Sequence, residues 1–564
     1  SGDVAHPVFG RMSNTYMATW AVNIPAGESV TLMTYLTQNT NLNAVTGVLG
    51  SLFTQSDTAM FAGLDSKIVN SIINWKLEDT DSDGMIDQWE DANGLDSSKN
   101  DSALDKDGDG LTNKEEFDLG SDPDNSDSDS DGINDKTEYD SVPQTSLTAS
   151  DSDGDGFHDG DEILYGSDPL DDTEYPEMID GTYFVDPSVK GLGNGTESSP
   201  WKSLKYAIKM LSTAQNGTYL LKLADGVNIV EDLSGIEISI PGLTIEGSGN
   251  SSIGSAFIYA QVPLITMNGG TIRNVIFESY SEYTDDIGIK VMSLDVAVED
   301  CTFINLDSGV SVEESSDLIV RRSVFIDDNT GVQVISDSSS VKVENCYFAS
   351  SNLPAAISSM YTAFLAGTTT ADITFEHNTV TGFEGNGVDL DGATGNNVIR
   401  YNIFDDVNAG IVLENMPSNT TGVHWNFLNN FTEGGIVANN GSLFTSSNNF
   451  VNIDPLITEN SYELLSTSPA IDAVDDDTDA VVEDIEGKVR PNGDRSDIGC
   501  WEYYPEFTVT FAAGENGSIE GELIQTVYSG YDTSAVTAVA DTGYEFSGWT
   551  GDYSGTENPL VVEN

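Results

Sequence analysis

Thr271-Ile-Arg-Asn-Val-Ile-Phe277, Ala297-Val-Glu-Asp-Cys-Thr-Phe303, Ile319-Val-Arg-Arg-Ser-Val-Phe325 and Lys342-Val-Glu-Asn-Cys-Tyr-Phe348 repeat one seven-residue pattern. Further copies begin at Thr374, Val398 and Gly422, and successive copies start 26, 22, 23, 32, 24 and 24 residues apart. Most add Gly-Val or Gly-Ile shortly after, as at Gly309, Gly331, Gly387 and Gly410. A period near two dozen residues with several short β segments per turn specifies a parallel β-helix. Positions 2 and 7 are apolar in every copy and are expected to stack as inward ladders. A leucine-rich repeat is excluded, because its Leu-x-x-Leu-x-Leu spacing is missing.

The other columns carry equally specific expectations. Position 5 reads Val275, Cys301, Ser323, Cys346, Asn378, Asn402, Asn426, a small or amide column expected at a tight turn, where Asn tolerates left-handed geometry. Position 3 reads Arg273, Glu299, Arg321, Glu344, Glu376, Arg400, His424. Neighbouring strands lie ~4.8 Å apart, so most of this column alternates sign between rungs and reads as an exposed charge ladder. Cys301 and Cys346 share a column with Ser323 between them, about 9.6 Å apart at that spacing. Disulfide partners need Cα atoms within about 7 Å, so two buried free thiols are predicted.

Upstream, four copies of a second pattern occur in phase. They supply Asp79, Asp81, Asp83, Asp87 and Glu90; Asp105, Asp107, Asp109, Asn113 and Glu116; Asp127, Asp129, Asp131, Asp135 and Glu138; and Asp151, Asp153, Asp155, Asp159 and Glu162. Oxygen ligands at positions 1, 3, 5 and 9, a Gly at 6 and an acid at 12 describe a calcium loop. A hard cation takes six to eight oxygens, and the glycine allows the tight turn that gathers them. Calcium is therefore the expected cofactor. A calmodulin-like sensor would need long flanking helices, and the segments between these loops are too short and broken for them.

The 564 residues exceed one ordinary core, so several domains are expected. Against 21 basic residues stand 94 acidic ones, a formal charge of −73. Of the acids, 32 fall between positions 78 and 172, with four lysines. Such a surface repels nucleic acid and anionic lipid, and calcium is its natural counter-ion. Three cysteines exclude a disulfide scaffold. No apolar run reaches the length of a membrane span. The chain opens on Ser1-Gly2 and ends in a repeat-like stretch, which reads as a mature or excised piece of something longer.

These patterns divide the chain into 1–77, a partial β-sandwich with strands near 16–24 and 29–36 and a short helix over 64–77; 78–172, the calcium loops; 180–504, the β-helix; and 506–564, a small β module. The expected class is mainly β, a right-handed parallel β-helix preceded by calcium-loop repeats.

Gly94-Leu-Asp96, Gly120-Ser-Asp122-Pro123 and Gly166-Ser-Asp168-Pro169 follow the loops, and residues 79–172 thereby resemble bacterial thrombospondin type 3 repeats. That resemblance implies a calcium core and a stiffened spacer. Tyr183-Phe-Val-Asp186, Gly193-Asn-Gly195 and Ser199-Pro-Trp201 precede the solenoid; Asp454-Pro455-Leu456, Ser468-Pro-Ala-Ile-Asp472, Arg490-Pro491 and Asp497-Ile-Gly-Cys-Trp-Glu-Tyr503 follow it. Together they resemble the pectate-lyase-like superfamily, in its choice-of-anchor Q group of bacterial surface proteins. Phe507-Thr-Val-Thr-Phe511 and Gly543-Tyr-Glu-Phe-Ser-Gly-Trp549 resemble the divergent internalin-B-type repeat.

Superfamily relatives cleave acidic polysaccharides as lyases or hydrolases. A lyase reading nominates Lys290, Arg321, Arg322, Lys342 and Arg400; a hydrolase reading nominates Asp389, Asp391, Asp405 and Asp406. No catalytic motif transfers residue by residue, and His377 and His424 read as turn or ladder residues. The leading expectation is a secreted or cell-surface structural or adhesive protein. Its expected partners are calcium, polysaccharide or other surface proteins, or further copies of itself. A polysaccharide lyase or glycoside hydrolase is the alternative.

Overall fold

The computed structural model describes residues 8–12, 15–19, 78–141, 144–213, 217–230, 235–255, 263–279, 286–293, 295–314, 317–335, 337, 340–350, 362–382, 385–417, 421–429, 434–458, 461–475 and 481–563. The chain forms two compact units, one of residues 1–178 and 189–202, the other of 179–188 and 203–564.

In the first unit Val8–Met12 pairs antiparallel with Thr15–Thr19. The remainder of the expected sandwich strands, and the helix over 64–77, lie outside the described residues. Four short helices follow: α1 (Asp87–Ala92), α2 (Asn113–Leu119), α3 (Asp135–Asp140) and α4 (Asp159–Tyr165). Each starts at the ninth position of its loop, where a first turn rich in Asp and Glu favours the positive end of the helix dipole. Thr112 and Glu115 form a capping box on α2. Left-handed Gly120 and Gly166 end α2 and α4. Six or seven residues give barely two turns, so none of them resembles a sensor's long helix. The apolar content is small: Met85, Leu111, Trp89 and Phe117 are buried, the last two edge to face at 4.9 Å.

The second unit is a parallel β-solenoid, as the seven-residue pattern predicts. One sheet runs Ile236–Ile238, Pro263–Met267, Ile287–Val291, Ser308–Val312, Thr330–Val334, Thr362–Ala366, Asn386–Asp391, Ala409–Glu414 and Gly434–Ala438, each strand beside the next coil's. The repeats supply the other two faces, in the register read from the sequence. Ile272, Val298, Val320, Val343, Phe375, Ile399 and Val423 pair rung to rung and are fully buried. At position 7, Phe277, Phe303, Phe325 and Phe348 stack with centroids 5.0, 4.7 and 4.6 Å apart. Burying each ring contributes about 1.5–3 kcal/mol. The glycine column answers this stack: a β-carbon on Gly309 would lie 2.6 Å from the Phe325 ring.

One expectation needs correction. The left-handed residues are at position 4, not position 5: Asn274, Asp300, Arg322, Asn345, His377, Tyr401 and Trp425 all have φ between 49° and 59°. That turn aims position 5 inward, where Asn378, Asn402 and Asn426 are fully buried. Each Asn side-chain oxygen accepts from the preceding coil, Cys346 N to Asn378 at 2.9 Å, Asn378 Nδ2 to Asn402 at 3.1 Å and Asn402 Nδ2 to Asn426 at 2.9 Å. Buried amides are retained because the ladder satisfies them. Cys301, Cys346 and Cys500 are buried free thiols.

Amphipathic α5 (Leu204–Leu211) is capped by the Ser203 hydroxyl, which accepts from Tyr206 N, and it buries Leu204, Ala207, Ile208 and Leu211. After the last coil the chain returns along the solenoid. Leu464, Ala470, Val474, Ile498, Cys500 and Trp501 pack on Tyr347, Ile403 and Phe427. Buried Arg490 fastens this segment, donating to the Asp497 and Gly499 carbonyls at 2.8 Å each and facing Glu502 at 3.5 Å. The final module pairs Glu506–Thr510 with Ile524–Tyr528, and Gly517–Glu520 with Thr537–Ala540, around Phe511, Val536 and Leu560. Residues 189–202 cluster with the first unit.

Candidate metal centres and the solenoid faces

Each of the four acidic loops is closed by the same internal hydrogen bonds. The position 6 glycine amide donates to the position 1 carboxylate, from Gly84 to Asp79, Gly110 to Asp105, Gly132 to Asp127 and Gly156 to Asp151 at 3.2, 3.1, 3.0 and 2.7 Å. These glycines have φ between 92° and 110°, a conformation costly for any residue with a β-carbon. The position 5 amide donates to position 3, as Asp83 does to Asp81 at 3.1 Å, and the position 7 amide to position 5, as Leu111 does to Asp109 at 2.7 Å. Each position 3 carboxylate thus spends one oxygen on the backbone and turns the other inward, whereas Asp105 and Asp151 at position 1 spend both oxygens on glycine amides.

Those inward oxygens are the informative atoms. Asp81, Asp107, Asp129 and Asp153 each have a buried Oδ2 with no protein partner, and so does Asp83. The position 12 glutamates Glu90, Glu116, Glu138 and Glu162 are fully buried. Both carboxylate oxygens of Glu90 and Glu116, and Oε2 of Glu138 and Glu162, lack partners. A buried charge without a partner is strongly unfavourable. Burial first, then the charges of Asp83 and Asp81, pushes the Glu90 carboxyl up to about 8. Burial with Asp107 and Asp109 takes Glu116 to about 8, and burial with Asp129 and Asp131 takes Glu138 to about 9. Burial, moderated by the Ser167 hydroxyl, takes Glu162 to about 8. An all-oxygen donor set of this density fits calcium, which would satisfy the orphaned oxygens at a stroke.

The position 9 side chains also hold nearby hydroxyl and backbone groups. Asp87 accepts the Thr80 amide and hydroxyl at 2.7 and 2.6 Å. Asp135 holds Ser128 in the same way, and Asp159 holds Ser152. Asn113 instead donates to the Asp101 carbonyl at 3.0 Å. These side chains lock position 2 or the preceding linker. Acids from neighbouring segments also approach the sites: carboxylate oxygens of Asp83, Glu90 and Asp101 gather within 4.8 Å, as do those of Asp131, Glu138 and Asp159. Asp101 has no fixed place in the repeat, so spacing alone could not nominate it.

On the solenoid the nominated cations are paired. Arg273 meets Glu246 at 3.4 Å, Arg321 meets Glu299 at 2.8 Å, and Arg400 meets Glu376 at 2.8 Å. Lys342 bridges Glu344 and Glu376 at 2.5 and 3.0 Å, resolving the one place where the column sets two acids on adjacent rungs. Arg322 clasps Asp300 through Nε and Nη2 and also reaches Glu483. Lys290 pairs with Glu313. His424 Nδ1 lies 2.8 Å from the Ser447 hydroxyl, and His377 is a left-handed turn residue beside Arg490.

The four nominated aspartates do not converge. Asp389 and Asp391 lie on Asn386–Asp391, whereas Asp405 belongs to a different sheet, paired with Thr381, and Asp406 is left-handed in the following turn. The register sets Asp391 beside Glu414 instead. Burial, countered by the Asn386 amide and reinforced by Glu414 and Asp391, raises the pKa of Asp389.

Known families match three parts of the chain. Residues 105–125 and 151–172 match the bacterial TSP3 repeat, 223–369 the right-handed beta helix region, and 507–562 the divergent InlB B-repeat domain. No curated protein matches. Among solved structures, pectate lyase Pel9A is similar at 13% identity and TM-score 0.37, over 58% of this chain and 97% of that one. A mannuronic acid specific polysaccharide family 6 lyase from human gut microbiota is similar at 11% and 0.33, over 46% and 67%. The GH136 lacto-N-biosidase of Eubacterium ramulus is similar at 10% and 0.28, over 48% and 68%. No helix among the described residues is long and apolar enough to cross a membrane.

Proposed function

We propose that this chain, which joins bacterial TSP3 repeats to a right-handed β-helix region and a divergent InlB B-repeat, is a calcium-stiffened extracellular structural or adhesive protein. The observation that carries the reading is the set of four fully buried position 12 glutamates with unpartnered oxygens, one per loop. Calcium converts four repulsive clusters into rigid joints, and abundant extracellular calcium keeps them filled. The solenoid then offers a long polar face, its cations already engaged, to glycans, other surface proteins or further copies. Calorimetry with calcium, small-angle scattering before and after chelation, and a glycan-binding panel test this together. Unchanged shape on chelation, with neither a ligand nor self-association, would refute it.

A second reading rests on Asp391 and Glu414, side by side on neighbouring rungs with Asp389 close by. A rung spacing of ~4.8 Å approaches the roughly 5–5.5 Å between the paired carboxyls of retaining glycosidases. Incubation with pectin, alginate, glycosaminoglycans and marine polysaccharides, reading new reducing ends and unsaturated uronide absorbance, decides it. Reducing ends lost in Glu414→Gln would make the protein a hydrolase.

A further inference from the structure

Residues 189–202 form a tight hairpin that is separate from the calcium loops in sequence yet belongs to the same unit. Its own closure is explicit: Asn194 N donates to the Ser199 carbonyl at 2.8 Å and Lys202 N to the Leu192 carbonyl at 2.9 Å. Gly193 and Gly195 are left-handed, and a β-carbon at Gly193 would lie 1.8 Å from the Pro200 carbonyl oxygen. Gly195 makes room for the Trp201 ring in the same way.

The hairpin touches the loops at three points beside nominated ligands. Leu192 N donates to the Ser130 carbonyl at 3.2 Å, and left-handed Ser130 stands between Asp129 and Asp131 in the third loop. Trp201 Nε1 donates to both carboxylate oxygens of Asp161, at 3.3 and 3.1 Å, and both residues are fully buried. Asp161 stands between Asp159 and Glu162 on α4, the helix of the fourth loop. The Tyr165 hydroxyl, also on α4, donates to the Asn194 carbonyl at 2.9 Å.

We propose that residues 189–202 are a calcium-set latch, closing when the third and fourth loops are loaded and opening when they are emptied. This rests on the reading of those loops as calcium sites. The Ser130 carbonyl points at Leu192 only while Asp129 and Asp131 converge. Asp161 meets Trp201 only while α4 is held in place by Glu162. Without metal, repulsion among the carboxylates pulls both anchors away. The chain leaves this unit after 178, re-enters at 189 and leaves again after 202. An open latch therefore frees 189–202 from this unit, and the calcium state of two loops would set whether that segment is held.

Peptide-resolved hydrogen exchange on the full chain, with calcium and with EGTA, tests the latch, while calorimetry on the same samples reports binding. Calcium is expected to slow exchange across 189–202 by at least about tenfold, together with the third and fourth loops. Trp201→Phe should lose most of that protection while still binding calcium, with the solenoid amides of Val298 and Val320 protected as before. Tyr165→Phe, a milder change, should lose severalfold. Calcium binding without altered exchange at 189–202, or full protection in Trp201→Phe, would overturn the latch and leave the calcium reading standing. An isotherm without calcium binding would overturn both.

Discussion

Asp131 of the third loop accepts, through Oδ2, the backbone amide of Gly160 at the start of α4, the helix of the fourth loop, at 3.2 Å. Asp109 of the second loop does the same for Lys136 in α3, at 3.1 Å. A position 5 carboxylate is thus both a nominated ligand of its own loop and a cap on the next loop's helix, where the dipole favours it. Neighbouring loops are expected to bind calcium as coupled sites. Asp131→Ala should weaken two sites by roughly tenfold each, whereas Asp127→Ala, at position 1 of the same loop, should weaken one. Calorimetric titration of the two variants separates these outcomes, and equal effects would remove the coupling.

Calcium uptake should release protons. The position 12 carboxyls sit near 8 to 9 in the metal-free loops, so at pH 7 they are largely protonated. Calcium requires the carboxylate form, and each loop filled at pH 7 should expel on the order of one proton. The sign for the metal-free fold is opposite to that of a salt-bridged acid. Its raised folded pKa favours the protonated, folded state at low pH, and that stability is lost as pH climbs from about 4.5 towards 8. Calorimetry in buffers of different ionisation enthalpy measures the protons directly. Apparent affinity should fall between pH 7.5 and 6.

The solenoid was legible because its constraints are periodic: Val298, Val320 and Val343 must face inward at every coil, so their spacing records the fold. The acidic loops were legible for the same reason. Two features were not. That position 4 takes the left-handed turn is hidden by the residues that occupy it, since Arg322, Tyr401 and Trp425 are poor advertisements for positive φ. The surroundings over-determine the turn and override local preference. Asp101 and Trp201 act across separations that no repeat encodes, and only folding brings them to Glu90 and Asp161.

Core substitutions should separate packing from polar satisfaction. Phe325→Ala removes the middle ring of a stack and leaves a cavity, at a cost of about 3–5 kcal/mol. Asn402→Ala removes less volume but strands the Asn378 backbone amide and one of its Nδ2 protons in a dry interior, costing about 1–3 kcal/mol for each stranded group. Denaturant unfolding of the second unit's signal measures both. A negligible cost for Asn402→Ala would mean that water enters and replaces the ladder.

Lys342 gives the sharpest choice between a catalytic and a structural solenoid face. It was nominated as a lyase base, a role that needs a deprotonated amine. Burial works against its charge, but hydrogen bonds to Glu344 and Glu376 and their charges prevail and hold its pKa above the ordinary lysine value. A lysine so held is a poor proton acceptor. Lys342→Met should instead leave Glu344 and Glu376 on adjacent rungs without the cation that bridges them, destabilising the fold by about 1–3 kcal/mol near neutral pH. The deficit should therefore shrink as pH falls and protonation removes the repulsion. Denaturant midpoints of wild type and Lys342→Met at pH 4.5 and 7.5 test this. A deficit that does not change with pH would refute the bridge, and loss of a polysaccharide-cleaving activity at unchanged stability would make Lys342 catalytic after all.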